Sequence, residues 1–257
     1  MIKEEIKFQD SCVFEGMTSI RAIIKSIDEA INTRHIEKIL YDEAKLKKIS
    51  KDIGYFKAVS DKYGFSLETS NEKELEKITL GTSHGGIVAI CSERKIPKLS
   101  EESIIENNGF YAMIEGIEDP YNFGYALRSL YPMGCSGIIL PERNWMSAAG
   151  VVCRSSAGAS ELFPMYSADP IFAADYFKAK NYTVVCGDLR TDNVLGKCEL
   201  KKPILLIIGG EKRGISKKLL DKCDIKVKIE YSRDFHSSLS TASATTMFAY
   251  EIMRQNS

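Results

Sequence analysis

The segment from Tyr111 to Leu140 restricts the possible folds of this chain more than any other. An apolar run, Tyr111 to Ile114, precedes a polar break, apolar residues at helical spacing from Phe123 to Met133, and a second apolar run, Gly137 to Leu140. This order predicts a strand, a loop, a helix and a second strand. Such a unit is typical of α/β folds, in which ligands bind at the carboxyl ends of the strands.

The end of the loop and the first turns of the predicted helix carry three residues that suit a binding site. Asn122 is placed to cap the helix, Gly124 allows close approach to its first turn, and Arg128 lies less than two turns further along. Alone, this Asn-x-Gly-x-x-x-Arg pattern is equally well explained by an ordinary cap and a solvated arginine. The remaining segments of the chain decide between these interpretations.

A second unit of the same kind lies further along the chain. Pro203 to Ile208 is a continuous apolar run that predicts a buried strand, and residues 209–216 (GGEKRGIS) lead into a predicted helix from Lys217 to Lys222. Three glycines within six residues indicate backbone that approaches a ligand, although the spacing is neither the dinucleotide-binding nor the P-loop pattern. Glu211 could accept hydrogen bonds from a ligand or orient Arg128, but the helix dipole also favours a carboxylate here.

Two further strands and two segments rich in small residues complete this half of the chain. Strands are predicted from Tyr182 to Cys186, followed by Gly187, and from Asp224 to Glu230. Residues 154–159 (RSSAGA) allow close packing against either a helix or a ligand. Residues 236–246 hold more hydroxyl side chains than capping of the following helix requires.

The residues before position 96 alternate between helical and strand patterns. The charged segment that follows them contains Pro97 and lacks a clear apolar period. We therefore predict a small α/β domain at residues 1–95, a linker at 96–108 and a second domain at 109–257. In the first domain the patterns predict helices from Ile20 through Ile31, Lys45 to Phe56 and Asn71 to Ile78, and strands from Ile36 to Tyr41 and Gly86 to Cys91.

The composition narrows the class of partners. The chain has 257 residues with 35 basic and 35 acidic side chains, so its zero net charge does not predict an extended polyanion-binding surface. The segment from Lys197 to Arg233 nevertheless has a local excess of positive charge, with eleven Lys or Arg against five Asp or Glu. Seven dispersed cysteines and three histidines predict reduced thiols and no metal site. Without a signal segment or a run of about 18 apolar residues, we expect a cytoplasmic protein with no membrane partner.

Four segments together resemble the SpoU-type branch of the SPOUT superfamily, RNA ribose 2′-O-methyltransferases that use S-adenosylmethionine. The resemblance covers residues 109–255. Two weaker matches, EGMTSIRAII and SHGGIVAI, make the N-terminal domain similar to the ribosomal-protein-like RNA-binding domain of many of these enzymes. The four segments are NFGYALR at 122–128, RSSAGASELFP at 154–164, LIIGGEKRGIS at 206–216 and SSLSTASATTMFAYE at 237–251.

The resemblance implies a fold and a cofactor site. The C-terminal domain would be a parallel α/β sheet with a deep trefoil knot, in a homodimer whose sites lie near the subunit interface. S-adenosylmethionine would bind in a bent form, largely through backbone groups of the knot loops. By position, the cofactor-binding residues are Gly187, Ile208, Gly209, Gly210, Ile229, Leu239 and Ser240.

The resemblance also implies four catalytic residues, Asn122, Arg128, Glu211 and Ser238. Arg128 would position the target phosphate or help to activate the ribose 2′-hydroxyl of a ribosomal or transfer RNA, while Glu211 and Asn122 hold the arginine. Because an arginine is effectively always protonated, we assign Arg128 an electrostatic and positioning role and leave the general base open.

Two positions depart from the family pattern. The usual Ser-Leu-Asn is Ser238-Leu239-Ser240 here, and a strand end that reads Ile-Pro-Met in relatives is Ile229-Glu230-Tyr231, which predicts a carboxylate and a phenol beside the cofactor. These departures keep open an RNA-binding or ribosome-associated protein whose catalysis has lapsed. The zero net charge keeps open a small-molecule methyltransferase, although a separate N-terminal domain suits a macromolecular substrate better.

Overall fold

The computed structural model describes residues 12–79, 84–141 and 148–257, which form two compact units. The first unit contains the described residues up to Lys95 together with residues 148–162. The second contains the other described residues from Ile96 onward. The predicted linker, residues 96–108, therefore belongs to the second unit, and the RSSAGA segment belongs to the first.

The described elements alternate between strand and helix along most of the chain. The strands are β1 (Val13–Glu15), β2 (Ile36–Asp42), β3 (Ser66–Ser70), β4 (Ile87–Cys91), β5 (Phe110–Glu115), β6 (Gly137–Pro141), β7 (Met165–Ala168), β8 (Thr183–Gly187), β9 (Ile204–Gly209) and β10 (Ile225–Val227). The helices are α1 (Gly16–Asp28), α2 (Leu46–Tyr63), α3 (Glu72–Ile78), α4 (Pro120–Leu130), α5 (Ala149–Ser155), α6 (Pro170–Ala179), α7 (Lys217–Leu220) and α8 (Thr241–Gln255). None of the helices in these ranges is both long and apolar enough to cross a membrane.

The first unit is built on a four-stranded sheet in the order β1-β4-β2-β3. Strand β4 is antiparallel to β1 and β2, and β2 is parallel to β3. Helix α1 buries Ile20, Ile23 and Ile24, one apolar stripe, in the core cluster of this unit. The helix ends at Asp28, so its predicted extension through Ile31 is wrong. Strands β1 and β3 were not predicted, because β1 is only three residues long and β3 (SLETS) is largely polar.

Residues 148–162 are held in the first unit by close backbone contacts and by a buried ion pair. A side chain at Gly158, where φ is +87°, would collide with Ala22 of α1. The Arg34 guanidinium donates from Nε to Glu161 Oε2 at 3.0 Å, and both side chains are almost fully buried. The RSSAGA pattern allowed close packing against a helix or a ligand, and in the structure this segment packs against helix α1.

The second unit is a six-stranded sheet in the order β10-β8-β9-β5-β6-β7, and every neighbouring pair is parallel. The apolar strands β5 and β9 lie at its centre and are buried along nearly their whole length. This arrangement confirms the predicted parallel α/β sheet. At the outer edge, Leu99 N donates to Ser167 O at 2.8 Å, so the segment before β5 is anchored along β7.

Helix α4 begins earlier than its apolar pattern indicated. Asp119 is its cap and accepts a hydrogen bond from Tyr121 N at 3.0 Å, and Pro120 occupies the first helical position. The prediction that Asn122 caps the helix is therefore wrong, and Asn122 lies inside the first turn. The physical reason is that proline suits the first helical position, where its missing N–H has no partner to lose.

Candidate functional site

A cavity of about 830 Å³ lies where strands β8, β9 and β10 end. The last residues of these strands, Gly187, Gly209 and Val227, line it together with the loops that follow them. Parallel strands bring their carboxyl ends to one edge of a sheet, so these loops converge although they are far apart in sequence. The N-terminal part of α8 completes the wall with Thr241, Ala244 and Phe248.

The loop after β9 is shaped by contact with the end of β5. A side chain at Gly210 would clash with the backbone of Gly116, so glycine permits the two chain segments to touch. The Glu115 carboxylate accepts a hydrogen bond from Ser216 N at 2.8 Å and fixes the far end of the loop. The glycines predicted to approach a ligand thus also serve backbone-to-backbone packing.

Eight of the eleven predicted site residues line this one cavity. Glu211 and Ser238 are exposed on its wall, and the six cofactor-binding residues among the eight belong to the strand ends or the loops. These six are Gly187, Ile208, Gly209, Gly210, Ile229 and Leu239.

The other three predicted site residues are not among the lining residues of the cavity. Asn122 and Arg128 are on α4, and the Arg128 side chain is exposed with no hydrogen bond or ion pair to any residue that the structure describes. The Ser240 side chain caps α8, because its Oγ accepts a hydrogen bond from Ser243 N at 3.2 Å. The first turn of a helix leaves backbone N–H groups without partners, and a serine hydroxyl satisfies one of them.

The cavity wall is charged as well as apolar. Three carboxylates and five basic side chains line it: Asp188, Glu211 and Asp221, with Arg190, Arg213, Lys217, Lys226 and Lys228. Burial disfavours the ionised form of Asp188, but hydrogen bonds from Arg190 outweigh that effect, so the pKa of Asp188 is lowered from its ordinary value. Asp188 is therefore a carboxylate at neutral pH.

Sequence reasoning did not identify Asp188 as a lining residue. Asp188 follows directly after the glycine that ends β8, and this position was the signal that could have identified it. Tyr231 was expected beside the cofactor together with Glu230, but only the phenol lines the cavity. Glu230 is exposed and pairs with Lys197 at 2.9 Å, and this contact lowers the pKa of the Glu230 carboxyl.

Within the described ranges, no group of three or more His, Cys, Asp or Glu side chains is arranged to hold a metal ion. All seven cysteines are free thiols. Burial raises the pKa of the Cys135 and Cys153 thiols to about 12, so neither is a thiolate at neutral pH.

Fold and cavity place this chain among the parallel α/β proteins that bind small molecules at the carboxyl edge of the sheet. A sequence model of the SpoU rRNA Methylase family matches residues 109–250, more than half of the chain. The chain belongs to this family, which confirms the prediction made from its four motifs.

Two relatives align with most of the chain. The 23S rRNA (guanosine-2′-O-)-methyltransferase RlmB of Shewanella oneidensis is 28% identical over 256 residues, which cover 97% of this chain and 99% of that protein. A putative TrmH family tRNA/rRNA methyltransferase of Bacillus subtilis, YacO, is 25% identical over 202 residues, which cover 77% of this chain and 80% of that protein.

Solved structures share the fold at lower identity. An RNA 2′-O ribose methyltransferase superposes with a TM-score of 0.78 over 95% of this chain and 88% of that chain, at 20% identity. An AdoMet-bound rRNA methyltransferase from Sinorhizobium meliloti superposes with a TM-score of 0.77 over 98% of this chain and 94% of that chain, at 22% identity. These likenesses support the two-unit α/β architecture over nearly the full length.

Proposed function

We infer that this chain is an S-adenosylmethionine-dependent methyltransferase that modifies a ribose 2′-hydroxyl in ribosomal or transfer RNA. The observation that carries this inference is the convergence of eight predicted site residues on one cavity at the carboxyl edge of the sheet. Membership of the SpoU rRNA Methylase family supports the reaction class. The names of the relatives, which act on 23S rRNA or on tRNA and rRNA, support the class of substrate.

The cavity fits S-adenosylmethionine in size and in chemistry. Its volume of about 830 Å³ lies within the range of about 300–1,000 Å³ that is usual for small-molecule sites. Ile208, Ile229 and Leu239 would pack against the apolar parts of the cofactor, and Asp188 and Lys226 offer charges to its amino-acid part. When bound there, the cofactor supplies an electrophilic methyl group.

We propose that Arg128, Asn122, Glu211 and Ser238 act on the RNA. A ribose hydroxyl is a poor nucleophile at neutral pH, so orientation and local electrostatics must supply most of the acceleration. Arg128 is exposed and unpaired within the described chain, so it is available to a phosphate of the RNA. Glu211 stands exposed on the cavity wall and is available to hold the arginine.

The two departures from the family pattern leave this function possible. The Glu230 carboxylate is paired with Lys197 and is not part of the cavity lining. The Ser240 hydroxyl serves the cap of α8. Neither side chain therefore occupies the space that the cofactor requires, and a lapsed enzyme is the weaker interpretation.

We propose that the active site is completed in a homodimer. Glu211 and Ser238 line the cavity of their own chain, whereas Asn122 and Arg128 do not, so a second copy would supply the latter pair. Helices α4 and α8 pack together, with a hydrogen bond of 2.6 Å from Thr246 Oγ1 to Ser129 Oγ. Both helices also expose large apolar side chains, Tyr121, Tyr125, Met247 and Tyr250, which such an interface would bury.

We further propose that the C-terminal domain is knotted. In support, the chain after the short edge strand β10 returns to α8, whose Thr241 Oγ1 donates to Gly209 O at 3.0 Å at the end of central strand β9. The loop after β9 meanwhile packs against Gly116. A return of this kind beside a tightly packed loop is consistent with the trefoil knot implied by the family resemblance.

We propose that the first unit, which contains the predicted domain of residues 1–95, binds RNA. We also propose that the protein acts in the cytoplasm, where ribosomal and transfer RNA are found. Helix α2 supports RNA binding by this unit. It exposes Lys47, Lys48 and Lys51 without ion pairs to described residues, one to two turns before the exposed ring of Tyr55. Lysines that meet phosphates beside an aromatic ring that can stack on a base suit RNA.

The test of this function is methyl transfer from labelled S-adenosylmethionine to total RNA from cells that lack the gene. We expect the native protein to label one nucleotide, to make the adjacent phosphodiester bond resistant to alkali, and to leave RNA from normal cells unlabelled. The Arg128→Ala variant should lose at least about 100-fold in rate, in line with the removal of one transition-state charge contact. Cofactor binding without labelling of any RNA would support a lapsed enzyme instead.

A further inference from the structure

The chain between β10 and α8 is fastened at its two ends and free in the middle. On the β10 side, Lys228 N donates to Asn193 O at 2.8 Å. On the α8 side, Thr241 Oγ1 donates to Gly209 O at 3.0 Å. Residues 232–238 between them are all exposed and make no hydrogen bond with any residue that the structure describes. Such a segment has little to hold it in one conformation.

One contact closes this segment on itself. Leu239 N donates a hydrogen bond to Tyr231 Oη at 3.1 Å, across eight positions of the chain. The Tyr231 ring also meets the ring of Phe235 edge-on, with centroids 6.1 Å apart. Tyr231, Ser238 and Leu239 all line the cavity, so the hydrogen bond joins two points of its wall.

We propose that Tyr231 is a positioning residue of this site: its hydroxyl, by accepting from Leu239 N, holds Ser238 and Leu239 at the cavity wall before the cofactor binds. The proposal rests on the function inferred above. The Ser240 hydroxyl is committed to the cap of α8, so it does not hold the loop. Tyr231 is the side chain that joins both ends of the exposed segment.

The physical effect expected of this contact is preorganisation. A loop that is already closed loses less conformational freedom when the cofactor binds, whereas an open loop must be ordered at the expense of affinity. The net contribution of one hydrogen bond corresponds to a factor of about two to ten in a dissociation constant. The contact does not touch the transferred methyl group, so the rate at saturating cofactor should change little.

The experiment compares full-length native protein with Tyr231→Phe, which keeps the ring and its contact with Phe235. We expect the dissociation constant for S-adenosylmethionine, measured by titration calorimetry, to rise by about two- to tenfold, with kcat at saturating cofactor preserved. Without cofactor, the Leu239 amide should exchange its hydrogen faster in the variant. The matched control is Tyr166→Phe on β7, at the opposite edge of the sheet. It removes a hydroxyl that donates to Ile104 O at 3.1 Å and should change none of these quantities.

Two outcomes would overturn the proposal. An unchanged dissociation constant would show that the hydroxyl does not prepare the cavity. A weaker affinity with unchanged exchange at Leu239 would show that the phenol acts on the cofactor directly and not through the loop. If the native protein binds no S-adenosylmethionine, the proposed function fails, and the exchange rate of the Leu239 amide still tests whether Tyr231 holds the loop.

Discussion

At the scale of single residues, the partner that holds a side chain decides whether that side chain serves the site. Glu115 ends strand β5 and accepts from Ser216 N at 2.8 Å, so it anchors the loop that carries Glu211. Glu230, beside the cavity in sequence, is instead paired with Lys197. The two glutamates therefore have different roles, because one accepts from a backbone N–H of the loop and the other pairs with a lysine.

The anchoring role of Glu115 predicts the behaviour of two substitutions. Glu115→Ala removes a hydrogen bond to a charged acceptor, a kind worth about 1.5–3 kcal/mol, and leaves the loop after β9 without its far anchor. We expect the dissociation constant for S-adenosylmethionine to rise by about tenfold or more in titration calorimetry.

Glu115→Gln is the matched control, because it keeps a carbonyl acceptor at the same length. Its affinity for the cofactor should stay within about threefold of the native value. Equal affinity of the alanine variant and the native protein would contradict an anchoring role.

At the scale of elements, residues 148–162 illustrate how distant segments form one unit. Glu161 accepts from Arg34 Nε at 3.0 Å, and Arg94 donates to the neighbouring Ser160 O at 2.8 Å. Burial lowers the pKa of Arg94, while the nearby Glu161 opposes that effect. The Glu161 carboxylate offsets the positive charge of the two buried guanidinium groups. The segment that carries Glu161 and the sheet of the first unit therefore stabilise each other.

Removal of that carboxylate charge should destabilise the first unit. Glu161→Gln leaves the buried guanidinium of Arg34 without its counter-charge, and loss of one partner from a buried pair costs about 3–5 kcal/mol. We expect a clearly lower midpoint of urea denaturation followed by circular dichroism.

Glu101→Gln is the control for this substitution, because the Glu101 side chain is 83% exposed where it pairs with Lys180. Exposed ion pairs contribute about 0–1 kcal/mol to the free energy of unfolding. The urea midpoint of Glu101→Gln should therefore stay close to the native value. Similar midpoints for the two variants would mean that the buried pair does not secure the segment.

At the scale of the whole molecule, the proposed active site needs residues from two copies of the chain. If Arg128 of one protomer serves the cavity that holds Glu211 of the other, Arg128→Ala and Glu211→Ala proteins should complement each other. After the two are denatured and refolded together, about half of the dimers are mixed, and each mixed dimer has one site with both native residues.

The expected result is recovery of about a quarter of the native methyl transfer, measured with labelled cofactor, from two proteins that are each inactive. Refolded native protein sets the scale, and each variant refolded alone is the control. If the site lay within one chain, every site would still carry one substitution, and the mixture would stay inactive.

Much of the fold and of the candidate site could be predicted because it depends on local patterns. The runs that became β5 and β9 are continuous and apolar, as strands buried on both faces must be. Glycines follow such strands where loops pass close to other backbone. The family resemblance assigned Gly187, Gly209 and Gly210 to the cofactor site, and all three line the cavity.

The predicted cap of α4 was wrong for a different reason. Asn122 was expected to cap the helix, but a cap depends on which residue leaves helical geometry, and Asp119 with Pro120 settles that point. The hydroxyl of Ser240, a predicted cofactor-binding residue, caps α8, while Leu239 and Thr241 on either side of it line the cavity. Asn and Ser side chains can cap a helix or contact a ligand, so the residue type alone does not decide between the two.

The sequence by itself determined the parallel sheet, because strand periodicity is a local property. It also determined the family and eight residues of the cavity wall, because the resemblance that implied them depends on four short segments of the chain. Only the tertiary structure decided that residues 148–162 join the first unit, that Glu230 pairs away from the cavity, and that Tyr231 reaches Leu239. These are contacts between side chains and distant partners. Their free energies depend on burial and distance, which exist only once the chain has folded.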